Sequence, residues 1–113
     1  MEISYRPLDA GPMLVQLRGR LDATAKTEVK TILEKLLNKK DQPKVVIDLE
    51  GVRFIDSSGL AALVSGLRLA REKGGNIALS GVQPQARTVF HLTMLDRVFS
   101  IHPTYTEAAQ SLI

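Results

Sequence analysis

Asp56-Ser57-Ser58-Gly59-Leu60 is the string in this sequence with the clearest capacity for chemistry. It follows the apolar segment Val52-Arg53-Phe54-Ile55 and precedes Leu60, Leu63, Val64 and Leu67, which recur at helical spacing. Its two hydroxyls are therefore expected where a strand gives way to a helix. Two reactions suit a serine there. As a nucleophile it would need a histidine base oriented by an acid, usually after a Gly-x-Ser-x-Gly elbow. The glycine before the serine is missing here, and His91 and His102 fall at a predicted helix end and a predicted strand end, so a hydrolase requires one of them to approach Ser57 in space. As a phosphoryl acceptor, the serine would place about two negative charges against the positive end of a helix dipole, which the fold tolerates. With Asp56 alongside, a partner that accepts the bare hydroxyl would reject the phosphorylated form by repulsion and desolvation. The same hydroxyls also serve as plain helix caps.

Other chemistry finds little support. No glycine-rich turn leads into Gly-Lys-Ser or Gly-Lys-Thr, so a P-loop is excluded, and Gly74-Gly75 reads as a helix stop. The chain has no cysteine, which removes disulfides, iron–sulfur clusters, thiolate zinc sites and a cysteine nucleophile together. Two histidines without His-x-x-x-His spacing do not suit zinc, so neither metal nor cofactor is expected. The net charge of +3 is concentrated in Lys26, Lys30, Lys35, Lys39, Lys40 and Lys44. These lysines interleave with an apolar stripe and read as the solvated face of a helix, without the aromatics or motif of a nucleic-acid binder.

A chain of 113 residues, 44% hydrophobic and 24% charged, is sized for one packed domain, expected over 1–113. Met1-Glu2-Ile3-Ser4-Tyr5-Arg6 does not read as a signal peptide, and no apolar run approaches the roughly 20 residues that span a bilayer. A cytoplasmic protein, monomeric when free, is the expectation.

Positioning Ser57 requires a set of alternating elements. Ile3 to Leu8 and Met13 to Leu17 read as antiparallel strands around the turn Asp9-Ala10-Gly11-Pro12, with Gly19 ending the second. Val29, Ile32, Leu33, Leu36 and Leu37 form the stripe of a helix that Asp22 is placed to cap. Lys44 to Leu49 reads as a central strand buried on both faces, separated from Val52–Ile55 by a loop at Glu50-Gly51. After the Ser57 helix come a strand at Asn76–Ser80 and a helix from Pro84 with Val89, Phe90 and Leu92 inward. A strand at Arg97–Ile101 and a last helix opened by the capping box Thr104-Tyr105-Thr106-Glu107 complete the chain. The order ββαβαβαβα predicts an α/β fold, an open mixed sheet whose later strands are parallel. Sites on such sheets lie where strands end and helices begin, here Gly19–Thr24 and Asp56–Gly59. Small residues at Gly59, Ala62 and Gly66 mark a shallow helix face, open to a partner or packed on the protein's own core.

Gly19-Arg20-Leu21-Asp22, then Val46-Ile47-Asp48-Leu49 followed by Phe54-Ile55-Asp56-Ser57-Ser58-Gly59-Leu60, resemble the signature segments of the STAS domain family, named for sulfate transporters and anti-sigma factor antagonists. Gly74-Gly75 before a strand and Glu107-Ala108-Ala109 in a terminal helix fit as well, so the resemblance covers nearly the whole chain. One departure is Ala61, where many relatives carry a second glycine. The resemblance implies an anti-sigma factor antagonist and no enzyme. Its phosphoacceptor would be Ser57, and its partner surface would be Asp22, Thr24, Asp56, Ser58, Gly59 and Leu60. The implied partners are an anti-sigma factor that is also a serine kinase and a PP2C-type phosphatase. A STAS domain that holds or regulates a transporter complex without switching is the alternative.

Overall fold

The computed structural model describes residues Met1–Ile113. Strands β1 (Glu2–Pro7) and β2 (Met13–Leu21) form the predicted antiparallel hairpin. β2 then runs parallel to β3 (Lys44–Ile55), β3 to β4 (Asn76–Ser80) and β4 to β5 (Ser100–His102). The sheet order is β1-β2-β3-β4-β5, with β3 central. Helices α1 (Ala23–Leu37), α2 (Ser57–Glu72), α3 (Pro84–Leu92) and α4 (Tyr105–Ser111) complete the expected mixed α/β fold.

Right-handed crossovers that always step to the next strand in the same direction put α1, α2 and α3 on one face. The period of two along the strands then divides the core. Val15, Leu17, Val45, Ile47, Ile77 and Leu79 pack with Val29, Leu33, Leu63, Leu67 and Phe90 from those helices. Their neighbours Leu14, Val46 and Ala78 lie under α4 with Ala108, Ala109 and Leu112. Helix α4 covers only that row. The next row on the same face is polar: Gln16, Asp48 and Ser80 are register partners across three parallel strands. Asp48 is 7% exposed and accepts hydrogen bonds from Gln16 Nε2 at 3.1 Å, the Glu50 amide at 3.2 Å and Ser80 Oγ at 3.3 Å. A carboxylate so far from water is tolerable because its lone pairs are occupied.

Four expectations are corrected. Glu50-Gly51 is not a loop: β3 continues through it, with Gly51 opposite Arg18 and Val52 opposite Gly19. A Cβ on Gly51 would stand 2.7 Å from Arg18 Cγ and 3.0 Å from the Leu17 carbonyl, so the glycine permits close strand approach instead of a turn. Likewise Gly19 does not end β2. It sits at φ +119 within a register irregularity of the β2–β3 pair, and the strand proceeds to Leu21.

The segment before β5 is also different. Met94 adopts the left-handed region at φ 61, and Leu95–Arg97 forms a 3-10 turn, so the predicted strand at Arg97–Ile101 shrinks to Ser100–His102. The amides of Val98 and Phe99 bond back to the Leu95 carbonyl and cannot join a ladder. Phe99 instead enters the core edge-on to Phe90, ring centroids 5.9 Å apart. Leu92, expected inward, is 76% exposed, because α3 stops there with the Thr93 hydroxyl donating to the Val89 carbonyl. Of the Thr104–Glu107 box, the structure forms the half in which Thr104 Oγ1 accepts from the Glu107 amide at 3.2 Å.

Candidate functional site

β2 and β3 end level with each other, Leu21 opposite Ile55, and each is followed at once by an aspartate that caps a helix. Asp22 Oδ1 accepts from the Thr24 amide at 3.1 Å and the Thr24 hydroxyl at 2.7 Å, while Asp56 Oδ1 accepts from the Gly59 amide at 3.0 Å. Both backbones are extended at the cap, which turns the side-chain oxygen onto the first-turn amides. The two turns are bonded to one another: the Asp56 amide donates to the Leu21 carbonyl at 3.3 Å. Gly59 seals the contact. A Cβ there would lie 2.0 Å from the same carbonyl oxygen, closer than any atom can approach.

On this corner Ser57 is the first residue of α2 and is exposed. Asp22, Asp56 and Ser58 are half-buried, Thr24 is exposed, and all five lie in the two adjoining turns. Gly59 and Leu60 differ from the rest: Gly59 is buried under Leu21, and Leu60 is 6% exposed within the main core. They shape the corner from beneath. Ala62 and Gly66 are buried too, Gly66 against Leu33, so the small-residue stripe packs on the protein's own interior; Ala61 is the exposed neighbour.

The amides of Ser57 and Ser58 belong to the first turn, where no intrahelical carbonyl is available, so the positive end of the α2 dipole faces outward beside the Ser57 hydroxyl. The carboxyl of Asp22 is held below its ordinary value, chiefly by the Thr24 hydroxyl and further by the Thr24 and Ala25 amides and the Arg20 guanidinium. Neither histidine is hydrogen-bonded to Ser57. His91 Nδ1 is 3.1 Å from Asp96, and His102 Nε2 pairs with Ser100.

Two features were not read from the sequence. Arg20 pairs with Asp22 at 3.6 Å, and its guanidinium lies over the Phe54 ring, 4.0 Å from the centroid. The pairing is recoverable: aligning the two capping aspartates sets Arg20 opposite Phe54, each two residues before its cap. The second feature is Gln85. Beyond Asp48 strand β3 has no β4 partner, and α3 supplies one with side chains. Gln85 Oε1 accepts from the Ile55 amide at 2.9 Å and its Nε2 donates to the Ile55 carbonyl at 3.0 Å, while Gln83 Nε2 donates to the Glu50 carbonyl at 2.8 Å.

With this geometry in place, the comparison with known proteins is direct: the STAS domain profile matches residues 6–108. The chain belongs to the STAS domain family. An anti-sigma F factor antagonist from Paenibacillus polymyxa is 28% identical over 102 residues, 90% of this chain and 85% of the relative. An anti-sigma-factor antagonist (STAS) domain protein from Planctomyces limnophilus superposes with a TM-score of 0.86 at 28% identity, covering 97% of both chains. The Bacillus cell fate determinant SpoIIAA in its phosphorylated form shares the fold, with a TM-score of 0.76 at 20% identity over 99% of this STAS domain and 100% of that chain. No helix of this STAS domain is long and apolar enough to cross a membrane.

Proposed function

We propose that this STAS domain is an anti-sigma factor antagonist that switches partners through Ser57. The observation that carries the reading is the exposed Ser57 hydroxyl on the first turn of α2, at a corner where two capped helix starts are locked together. The relatives named as antagonists support it, and SpoIIAA shows that this fold exists in a phosphorylated form. With Ser57 bare, the Asp22–Thr24 and Asp56–Ser58 turns form the surface that docks an anti-sigma factor with serine kinase activity. Gly59 and Leu60 hold that surface from below.

The kinase then transfers the γ-phosphoryl of ATP to Ser57 Oγ: the bond to the β-phosphate breaks, the Oγ–P bond forms, and the hydroxyl proton leaves with ADP as the other product. The nucleotide and magnesium come with the kinase, so this chain acts as substrate and ligand, as a cytoplasmic monomer. The phosphate faces the α2 dipole and leaves the fold intact, while its charge beside Asp22 and Asp56 ejects the partner. A PP2C-type phosphatase restores the hydroxyl.

Intact mass and peptide mapping of protein from its own cells, before and after serine-phosphatase treatment, test the cycle. A phosphoryl group on Ser57 that the phosphatase removes is the expected result. An unmodified Ser57 across growth conditions would leave Ser57 simply the first residue of α2 and favour the non-switching, transporter-type role.

A further inference from the structure

Away from the Ser57 corner, the C-terminal half of α2 and the turn before β5 enclose a cleft of about 470 Å³ lined by Val64, Leu67, Arg68, Arg71, Glu72 and Val98. It begins two turns along α2, about 10 Å from Ser57 at 1.5 Å per residue. Its apolar wall includes Val98, which is 40% exposed; Leu92, which ends α3, and Met94 lie outside the cleft lining and are 76% and 60% exposed. Folding gains nothing from an apolar side chain left in water, and Val98, exposed on the wall of a cleft beside Val64 and Leu67, is available to a partner. The turn is tied to α2. Arg71 Nη2 donates to the Val98 carbonyl at 3.0 Å, and His91 braces Asp96.

Charge identifies the occupant. Arg68, Arg71 and the exposed Arg97 beside Val98 form no ion pair, and Glu72 is the acid nearest Arg68 and Arg71 in sequence, four residues from Arg68 on α2. The cations here are arginines, whereas every lysine except Lys73 lies between Lys26 and Lys44. Guanidinium groups bind carboxylates in bidentate geometry and are weakly hydrated, which suits a protein interface better than ammonium groups do. Glu72 is the one acid in the lining. An apolar floor with an arginine rim complements a helix that carries an apolar stripe flanked by Asp or Glu.

We propose that this cleft is a docking site for an acidic amphipathic helix of a partner protein, separate from the Ser57 switch. Amide chemical-shift mapping of the full chain tests it, with a synthetic leucine-and-glutamate amphipathic helix as the probe and its leucine-and-lysine counterpart as the control. The expected result is saturable shifts at Val64, Leu67, Arg68, Arg71 and Val98 with the acidic peptide, at least ~10-fold tighter than the basic one and weakened by salt. Arg68→Glu and Val98→Ser, both at exposed positions, should each reduce the affinity severalfold, whereas Ser57→Asp should leave it unchanged. Shifts confined to the lysine face of α1 or to the Ser57 corner, equal binding of the basic peptide, or loss of binding in Ser57→Asp would overturn the assignment. So would concentration-dependent shifts at the cleft without peptide, which would make a second copy of this chain its occupant.

Discussion

Gln85 on α3 takes the place of a missing strand for Ile55, accepting from its amide and donating to its carbonyl at 2.9 and 3.0 Å. Ile55 is the last residue before the Asp56 cap, so a carboxamide 30 residues further along the chain fixes the level at which the Ser57 helix begins. Gln85→Ala strands both backbone groups of a buried residue. It should cost about 1–3 kcal/mol in urea unfolding and accelerate hydrogen exchange of the Ile55 amide. Unchanged protection of that amide would show that the bidentate contact does not hold the strand end.

Ser57→Asp should lower affinity for the anti-sigma factor by about 1–3 kcal/mol, with thermal melting nearly as in wild type. Ser57→Ala should bind as the unmodified protein does and resist release by kinase and ATP. Equal binding of Ser57→Asp and wild type would remove the switch.

Gly59→Ala drives a methyl into the Leu21 carbonyl, and neither backbone can yield without parting the two turns. About 3 kcal/mol or more of lost stability is expected from denaturant midpoints. A near-neutral effect would mean the turns separate easily.

Asp56→Ala removes the α2 cap and should destabilise by about 0.5–2 kcal/mol. Comparing it with Asp56→Asn, which keeps an acceptor at the same place, separates the loss of the cap from the loss of charge. Partner affinity that falls in both variants to the same extent would assign the charge itself a role in docking.

The carboxyl of Asp22 titrates below its ordinary 3.8 in the folded protein. Because the folded value is the lower one, the stability it adds is complete above the unfolded value and disappears as pH falls through the folded one. The stability difference between wild type and Asp22→Ala should therefore stay constant from neutral to mildly acidic pH and close only in strong acid. A difference that closes near neutrality would contradict the Thr24 contact as its cause.

How much of this was legible depends on whether a signal is local. The Asp22 cap, the α1 and α2 stripes and the buried central strand follow from period and capping chemistry within one segment, and they agree with the structure; the α2 cap, expected from the hydroxyls of Ser57 and Ser58, is made instead by Asp56. Glu50-Gly51 misled because a glycine that admits a neighbouring strand carries the same letter as one that makes a turn. Leu92 misled because its spacing is helical but the helix ends there. At the site, Ser57 and the capping residues stand out in the string, and the burial of Leu60 follows from its place in the apolar stripe. Gln85, and the seat of Arg20 on Phe54, depend on which strands lie side by side and leave no trace within their own segments.

Gly59 has no side chain, and the Leu21 carbonyl occupies the space one would fill. Two surface turns that would each wander alone are thereby geared together, and neither can shift without carrying the other. A protein that docks across both meets a single stiff edge. Much of the ordering that flexible loops would demand at the moment of contact has already been completed when the chain folds.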